Sequence, residues 1–434
     1  MAKKARKRAP TASAAATTSG VDELLLAALE RGDESFETGR YLVTFKEGAV
    51  KEGAQALSAR GLRSADARDF TGQTFSIRDV AGADSVVLPE IGVAVVAGDP
   101  FAARGMSVQA EIAADSPIEA IEPEYFVFAD GAADYLRGFR RAAEVIEKDL
   151  GMTAEFKMPD RDLEEVQVLG ATWGLIKCKV PPSPRSGAGI RVAILDTGMD
   201  LGHPDFAGRP VVSQTFVGQP VQDLHSHGTH CIGTSCGPQA PVGTTPRYGI
   251  GYKALIFAGK VLSNSGSSVG GSVLAGMNWA IANRCAVISL SLGSQSPVQA
   301  AYTAAGTAAL NNGCLIIAAA GNAASNTGAP ANSPTIMSVA SLDLNLNPSS
   351  FSNFGKIEIA APGRDVFSSV PRPTRYGTKS GTSMATPHVA GCAALWAETS
   401  STLRGMNLWN RLLSTAQALA FSATRVGKGL VQAP

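Results

Sequence analysis

Beyond residue 172 the chain repeats one texture: short, nearly uninterrupted apolar runs end in small or polar residues and are separated by longer segments rich in Ala and Gly. The runs are "IRVAILDTGMD", "ALIFAGKVL", "CAVISLSLG", "CLIIAAAGN", "IMSVASLD" and "IEIAAPG". A half-exposed strand would alternate apolar with polar, so continuous runs of this length predict strands covered on both faces. Between them "GSVLAGMNWAIANR" and "AYTAAGTAALNNG" have helical length. Strands alternating with helices build an α/β fold with a doubly wound, mostly parallel sheet. Ligands bind such sheets beyond the C-terminal strand ends, so the residues that close each run are the first places to look for chemistry.

The first third reads differently. "RYLVTFKEG" predicts a strand, "VKEGAQALSARG" a helix, "IGVAVVAG" a strand, "FAARGMSVQAEIAAD" a helix and "IEAIEPEYFVFAD" a closing strand. With one more strand inside residues 64–75, the order is β-α-β-β-α-β, a small α+β ferredoxin-like sandwich. Further on, Tyr135, Leu136, Phe139, Ala142, Val145, Ile146 and Leu150 recur at helical spacing, which predicts an amphipathic helix lying against another part of the chain. The charged, weakly periodic "MTAEFKMPDRDLEEVQ" reads as a linker. Four units result: a disordered tail (1–37), the sandwich (38–130), helix and linker (131–170) and the α/β domain (171–434).

Composition narrows the function classes. Over 434 residues the net charge is +1, so no global field favours nucleic acid or an anionic membrane. The basic "KKARKR" near the start sits among Ala, Ser and Thr and reads as a solvated tail. No run approaches the roughly 18 apolar residues of a membrane span. No secretory signal is recognisable either, so a cytoplasmic location is expected. The six cysteines are scattered with no C-x-x-C pair, which suits buried thiols in a reducing compartment.

Three segments carry candidate chemistry. "LDTGMD" puts Asp196 at the end of the first strand of the α/β domain, and "DLHSHGTHCIGT" brings His225, His227 and His230 together. "SGTSMATPHVAG" presents Ser383 where a small-residue helix begins, and the free N–H groups of a helix start favour negative charge. Alone, each has a structural use as turn aspartate, packed histidine or capping serine. A zinc site with Cys231 and Cys236 is disfavoured, because His227 and His230 on a helix leave them no common ligand face. Together Asp196, His227 and Ser383 supply an orienting carboxylate, a general base and a nucleophile, in the chain order of subtilisin. "AILDTGMD", "HSHGTHCIGT" and "SGTSMATPHVAG" resemble the three active-site blocks of the subtilisin-like serine proteases. The resemblance runs from about Thr172 to "GKGLVQA", which is similar to the family's final strand.

That resemblance implies a subtilisin-like serine endopeptidase with Ser383 as nucleophile, His227 as base and Asp196 holding the imidazole. Asn322, in "AAAGN", matches the oxyanion-hole asparagine. Gly266, Ser267 and Ser268 on one side, and Ser291, Leu292 and Gly293 on the other, match the edges that bind a peptide or protein substrate as an added strand. The primary pocket would be lined by Ser291 to Gly293, Ala318, Ala319, Ala320, Gly321 and Gly328. With no carboxylate among them, it implies a preference for a bulky apolar residue before the scissile bond. The family commonly holds calcium, but no Asp or Glu lies between Asp223 and Asp343, which argues against it, so no cofactor and no metal are expected. Cys231 resembles the thiol of the proteinase K-like branch and is expected as a packing residue. The N-terminal sandwich resembles the family's propeptide, an intramolecular inhibitor, which implies a self-processing zymogen; against that resemblance residues 69–86 look like an insertion. Phe126, Val127 and Phe128 would suit the pocket, with self-cleavage within residues 126–131 or near residues 165–172. The rival reading is a protein that only binds peptides in this cleft. It would have no need of the triad and Asn322 together.

Overall fold

The computed structural model describes residues 21, 24–25, 36–70, 83–98, 101, 115–129, 170–243 and 245–434. The predicted helix and linker of residues 131–170 lie outside these except Gly170, as does most of the helix expected over residues 101–115.

The N-terminal unit contains β1 (Glu37–Phe45), α1 (Val50–Ala59), β2 (Ser64–Asp66), β3 (Ser85–Leu88), β4 (Val93–Val96) and β5 (Ile118–Phe128). β1 is central, antiparallel to β4 on one side and β5 on the other, and β3 pairs antiparallel with β4. The strand expected within residues 64–75 is only the three-residue edge strand β2, which runs parallel to β3. The sandwich's second main strand is instead β3, whose first two residues, Ser85 and Val86, belong to the stretch read as an insertion. "SVVL" is too short to show a period, and all four residues are buried, so no alternation marked it. Alternation appears once the neighbours are known. Val43, Val87, Ala94 and Val96 pack with Leu57 of α1, while Leu42, Val86, Leu88, Val93 and Val95 face the other way, into the C-terminal domain.

The C-terminal domain is built on a seven-stranded sheet. In chain order its strands are β6 (Arg191–Asp196), β7 (Val211–Thr215), β8 (Leu255–Lys260), β10 (Val287–Leu290), β11 (Leu315–Ala319), β12 (Met337–Leu342) and β13 (Ile359–Pro362). The spatial order is β13-β12-β11-β10-β6-β8-β7, and every neighbouring pair is parallel. The six apolar runs are six of these strands. β7 was not foreseen, because an edge strand need not be apolar, and "VVSQT" is mostly half-exposed. The expected final strand near the C-terminus is reduced to bridges of Leu430 to Ala360 and Gln417.

Helices cover both faces, as doubly buried strands require. Val192 and Ile194 of β6 point toward α2 (His227–Cys236) and α5 (Thr382–Thr399), while Ala193 and Leu195 point toward α3 (Gly270–Ala282) and α4 (Ala300–Asn311). The outer side of α3 and α4 receives the N-terminal sheet. Neither helix has a side-chain cap of its own. Two glutamates of β5 supply it: Glu124 accepts from Gly271 N at 2.7 Å, and Glu122 from Ala300 N at 3.0 Å and Ala301 N at 3.3 Å. A carboxylate at a helix N-terminus satisfies orphan N–H groups and opposes the positive end of the dipole. Glu124 is fully buried and also holds Arg40 through two bonds, at 2.7 and 2.8 Å.

Beyond Tyr125, β5 leaves its own sheet and enters the C-terminal domain, pairing antiparallel with β9 (Ser267–Val269). Its side chains alternate: Val127 and Ala129 join the core beside α3, whereas Phe126 and Phe128 pack with Val269, Leu25 and Phe36. The contacts of the N-terminal unit therefore begin before residue 37, in part of the stretch expected to be a disordered tail: Leu25 is buried at 1% exposure, and Val21, Leu24 and Leu25 are helical.

Candidate active site

Asp196, the last residue of β6, stands where the strand order reverses, the position at which open α/β sheets bind ligands. His227 opens α2. That helix start is organised by Asp223, whose carboxylate accepts from His225 N at 2.9 Å, Ser226 N at 2.8 Å and Thr229 N at 2.8 Å. The imidazole Nδ1–H of His227 donates to Asp196 Oδ1 at 2.8 Å, and Thr197 N donates to the same oxygen at 2.7 Å. Asp196 and His227 are each 1% exposed. Burial pushes the Asp196 carboxyl up, but His227 and the Thr197 amide outweigh it and hold it below the usual carboxylate range. Burial pushes the imidazole down, yet the Asp196 carboxylate prevails, and His227 keeps its proton well above the usual histidine range.

Ser383 is the second residue of α5, so its N–H has no intrahelical acceptor. Pro387 lies four residues on, within the helix. Having no N–H, it leaves the Ser383 carbonyl without its helical donor. Ser291 Oγ takes that place at 2.7 Å, with the Cys231 thiol at 3.6 Å. The proline thus ties the nucleophile helix to the Ser291 edge and to α2. Asn322 follows β11; its Oδ1 accepts from Thr382 N at 2.8 Å and Thr382 Oγ1 at 2.9 Å. With Oδ1 fixed, the Asn322 Nδ2 donor is turned toward Gly381, only 3.3 Å from where a β-carbon would stand. A larger residue at 381 would crowd that donor.

The substrate-edge residues are brought together as well, and the cleft between them is filled by the chain itself. Phe128 and Gly293 exchange N–H···O bonds, both 3.0 Å, and Ala129 N donates to Gly266 O at 2.8 Å. Phe128 pairs with Ser267 and Val127 with Ser268, while Leu292 is buried in the same core as Val127. Ser383 Oγ donates to Ala129 O at 3.2 Å and to Ser291 O at 3.3 Å. It does not bond His227 Nε2, which has no partner among the described residues. Phe126 and Phe128, expected to suit the pocket, pack instead with Val269, Leu25 and Phe36. The side chains turned inward are Val127 and Ala129, because a strand alternates its faces.

Ala320 and Gly328 are joined, Gly328 N donating to Ala320 O at 3.2 Å; a β-carbon on Gly328 would strike Ser294 O, and one on Gly321 would strike the Asn353 amide. Gln295 was not foreseen here. Its Nε2 would lie 3.5 and 3.6 Å from β-carbons on Gly321 and Gly328, so an amide borders the pocket's small-residue wall.

Two other expectations meet the structure here. Cys231 is buried with Sγ 3.9 Å from His227 Nδ1, and burial pushes its thiol up, away from a reactive thiolate. His230 donates to Val366 O at 2.9 Å and is pushed down to about 3 by burial, while the Cys236 thiol turns to Ser235 Oγ at 3.5 Å. They form no shared ligand set. The carboxylate of Asp205 is engaged by Tyr248 OH at 2.6 Å, Tyr376 OH at 3.1 Å and Val242 N at 3.0 Å.

The sequence pattern of the subtilase family matches residues 187–429. The chain belongs to this family. Among curated relatives, Subtilisin Savinase of Lederbergia lenta is 40% identical over 268 residues, 60% of this chain and 96% of that protein. Thermitase of Thermoactinomyces vulgaris is 40% identical over 254 residues, covering 57% of this chain and 88% of its own length. A crystal structure of a cold-adapted subtilisin-like serine proteinase superposes with a TM-score of 0.54 at 32% identity, over 61% of this chain and 99% of that one. This subtilase is a serine peptidase with the subtilisin-like α/β fold. All three matches cover only about three fifths of the chain; the family pattern itself begins at residue 187, well after β5.

Proposed function

We propose that this subtilase cleaves peptide bonds with Ser383 as nucleophile and His227 as general base, and that it is made as a zymogen that cuts itself. Ser383 Oγ attacks the scissile carbonyl as its proton passes to His227 Nε2, which then hands it to the leaving amine. Asp196 keeps the imidazole in the tautomer with Nδ1–H and steadies the imidazolium. The oxyanion is met by Asn322 Nδ2 and the Ser383 N–H at the positive end of α5. Substrate adds a strand between β9 and residues 291–293, as β5 does. The pocket offers no partner to Lys or Arg and favours an uncharged apolar side chain, its size bounded by Gln295. No step in this reading uses a metal ion.

One observation carries the zymogen reading: the nucleophile's hydroxyl bonds the Ala129 carbonyl of a strand hydrogen-bonded on both edges, the pose of a substrate. After the cut, the N-terminal unit stays docked through Glu122, Glu124 and the apolar face of its sheet. Breaking the Glu124 cluster alone would cost about 3–5 kcal/mol, the scale for leaving a buried charge without its partner.

Sequencing the new N-terminus of the purified wild-type chain tests this. The expected start is Asp130 or Gly131, with the two fragments eluting together. A chain that hydrolyses peptides while intact, or is cut only near residues 165–172, contradicts it.

A further inference from the structure

Behind the triad lies a buried charge that the reaction scheme leaves unused. Lys260 ends β8, directly opposite Asp196 in the parallel register of β6 and β8. Register partners on neighbouring strands project from the same face of a sheet. Lys260 has no exposed surface, and neither does Asp223. Its ammonium donates to Thr197 O and, at 2.9 Å, to Asn264 Oδ1. Thr197 joins the cluster together: its amide bonds Asp196 at 2.7 Å, its hydroxyl donates to Asp223 Oδ1 at 2.9 Å, and its carbonyl receives the lysine.

We propose that Lys260 is a positioning residue of the peptidase: its buried ammonium offsets the Asp196 and Asp223 carboxylates and so limits how tightly they make His227 hold its proton, which sets the pH above which the imidazole can take the Ser383 proton. Two buried negative charges with no cation behind them would hold the imidazole proton tighter still, and a protonated histidine is no base. The other groups facing His227 do not supply this cation. Cys231 is a protonated thiol on the next turn of α2, and Ser383 is neutral. His230 is kept neutral by burial and lies near Lys379, while the His225 ring stands 6.2 Å from that of His227. Burial pushes Lys260 down to about 8 against the pull of Asp223 and Asp196, so it carries its charge through the neutral range.

The test is the pH profile of kcat/KM for a neutral peptide substrate, measured on the self-processed wild-type protein and on Lys260→Gln and Lys260→Met. Both variants are expected to shift the acid limb upward by about one pH unit, losing about tenfold below it. Rates should converge with wild type at alkaline pH, where the wild-type lysine has itself lost its proton. Gln keeps a donor for Thr197 O, so it should hold its fold better than Met, and its profile decides the matter if the Met variant does not fold. An unmoved limb in Lys260→Gln, or a loss equal at every pH, makes the lysine purely structural and overturns the proposal. The inference rests on the triad roles given above; a wild-type protein without activity would count against those roles instead.

Discussion

Ser383→Ala is expected to leave a folded, uncut chain without measurable peptidase activity. The hydroxyl makes only two long bonds, 3.2 Å to Ala129 O and 3.3 Å to Ser291 O. Neutral hydrogen bonds of this kind contribute about 1 kcal/mol or less, so thermal denaturation should move by no more than a few degrees. The ties that position α5 survive, because Ser291 Oγ bonds the residue's carbonyl rather than its side chain. Turnover should fall about 10⁶-fold, a magnitude taken over from subtilisin, a relative of this chain. Peptidase assays beside a melting curve check both halves. Activity near wild type in a folded variant would remove Ser383 from the chemistry.

Asp196→Asn should cost about 10⁴ in turnover at neutral pH, the size found for the equivalent change in a serine protease of another fold. Asp196 Oδ1 receives both the His227 Nδ1–H and the Thr197 N–H. An asparagine has one oxygen for these two donors and no charge. If it turns its NH₂ to His227, it selects the wrong tautomer; if it does not, the imidazolium loses its counter-charge. The sign of the pH effect follows from the cause of the shift. Asp196 is what holds the His227 proton above its usual range, so removing the charge moves the acid limb of kcat/KM to lower pH. Lys260→Gln should move the same limb the opposite way. A rate profile over about pH 5–10 separates the two directions.

What could be read in advance follows a physical line. Six strands of the C-terminal sheet were legible because parallel strands are buried on both faces and leave unbroken apolar runs. Asp196, His227 and Ser383 stood out as candidates in three short segments of small residues, and the structure sets the first two 2.8 Å apart. Several of the misses involve partners far away in the chain. Nothing in the closing-strand sequence names a partner for Glu124, which caps a helix 147 residues away. Val127 and Ala129, not the larger phenylalanines, turn inward, since the phase of the strand is set by pairing with β9 and not by side-chain size. β3 hid in four buried residues whose second face is covered by α3 and α4. Lys260 sat inside an apolar run, and only the register with β6 sets it against Asp196.

The role of Ser383 is tested most directly by labelling with a fluorophosphonate once activity has developed, followed by peptide mass mapping. A single adduct is expected on Ser383, formed at a rate that rises with pH through the His227 limb, and no adduct in Ser383→Ala. Labelling on another residue, or peptide hydrolysis that continues unaffected in fully treated protein, would contradict it.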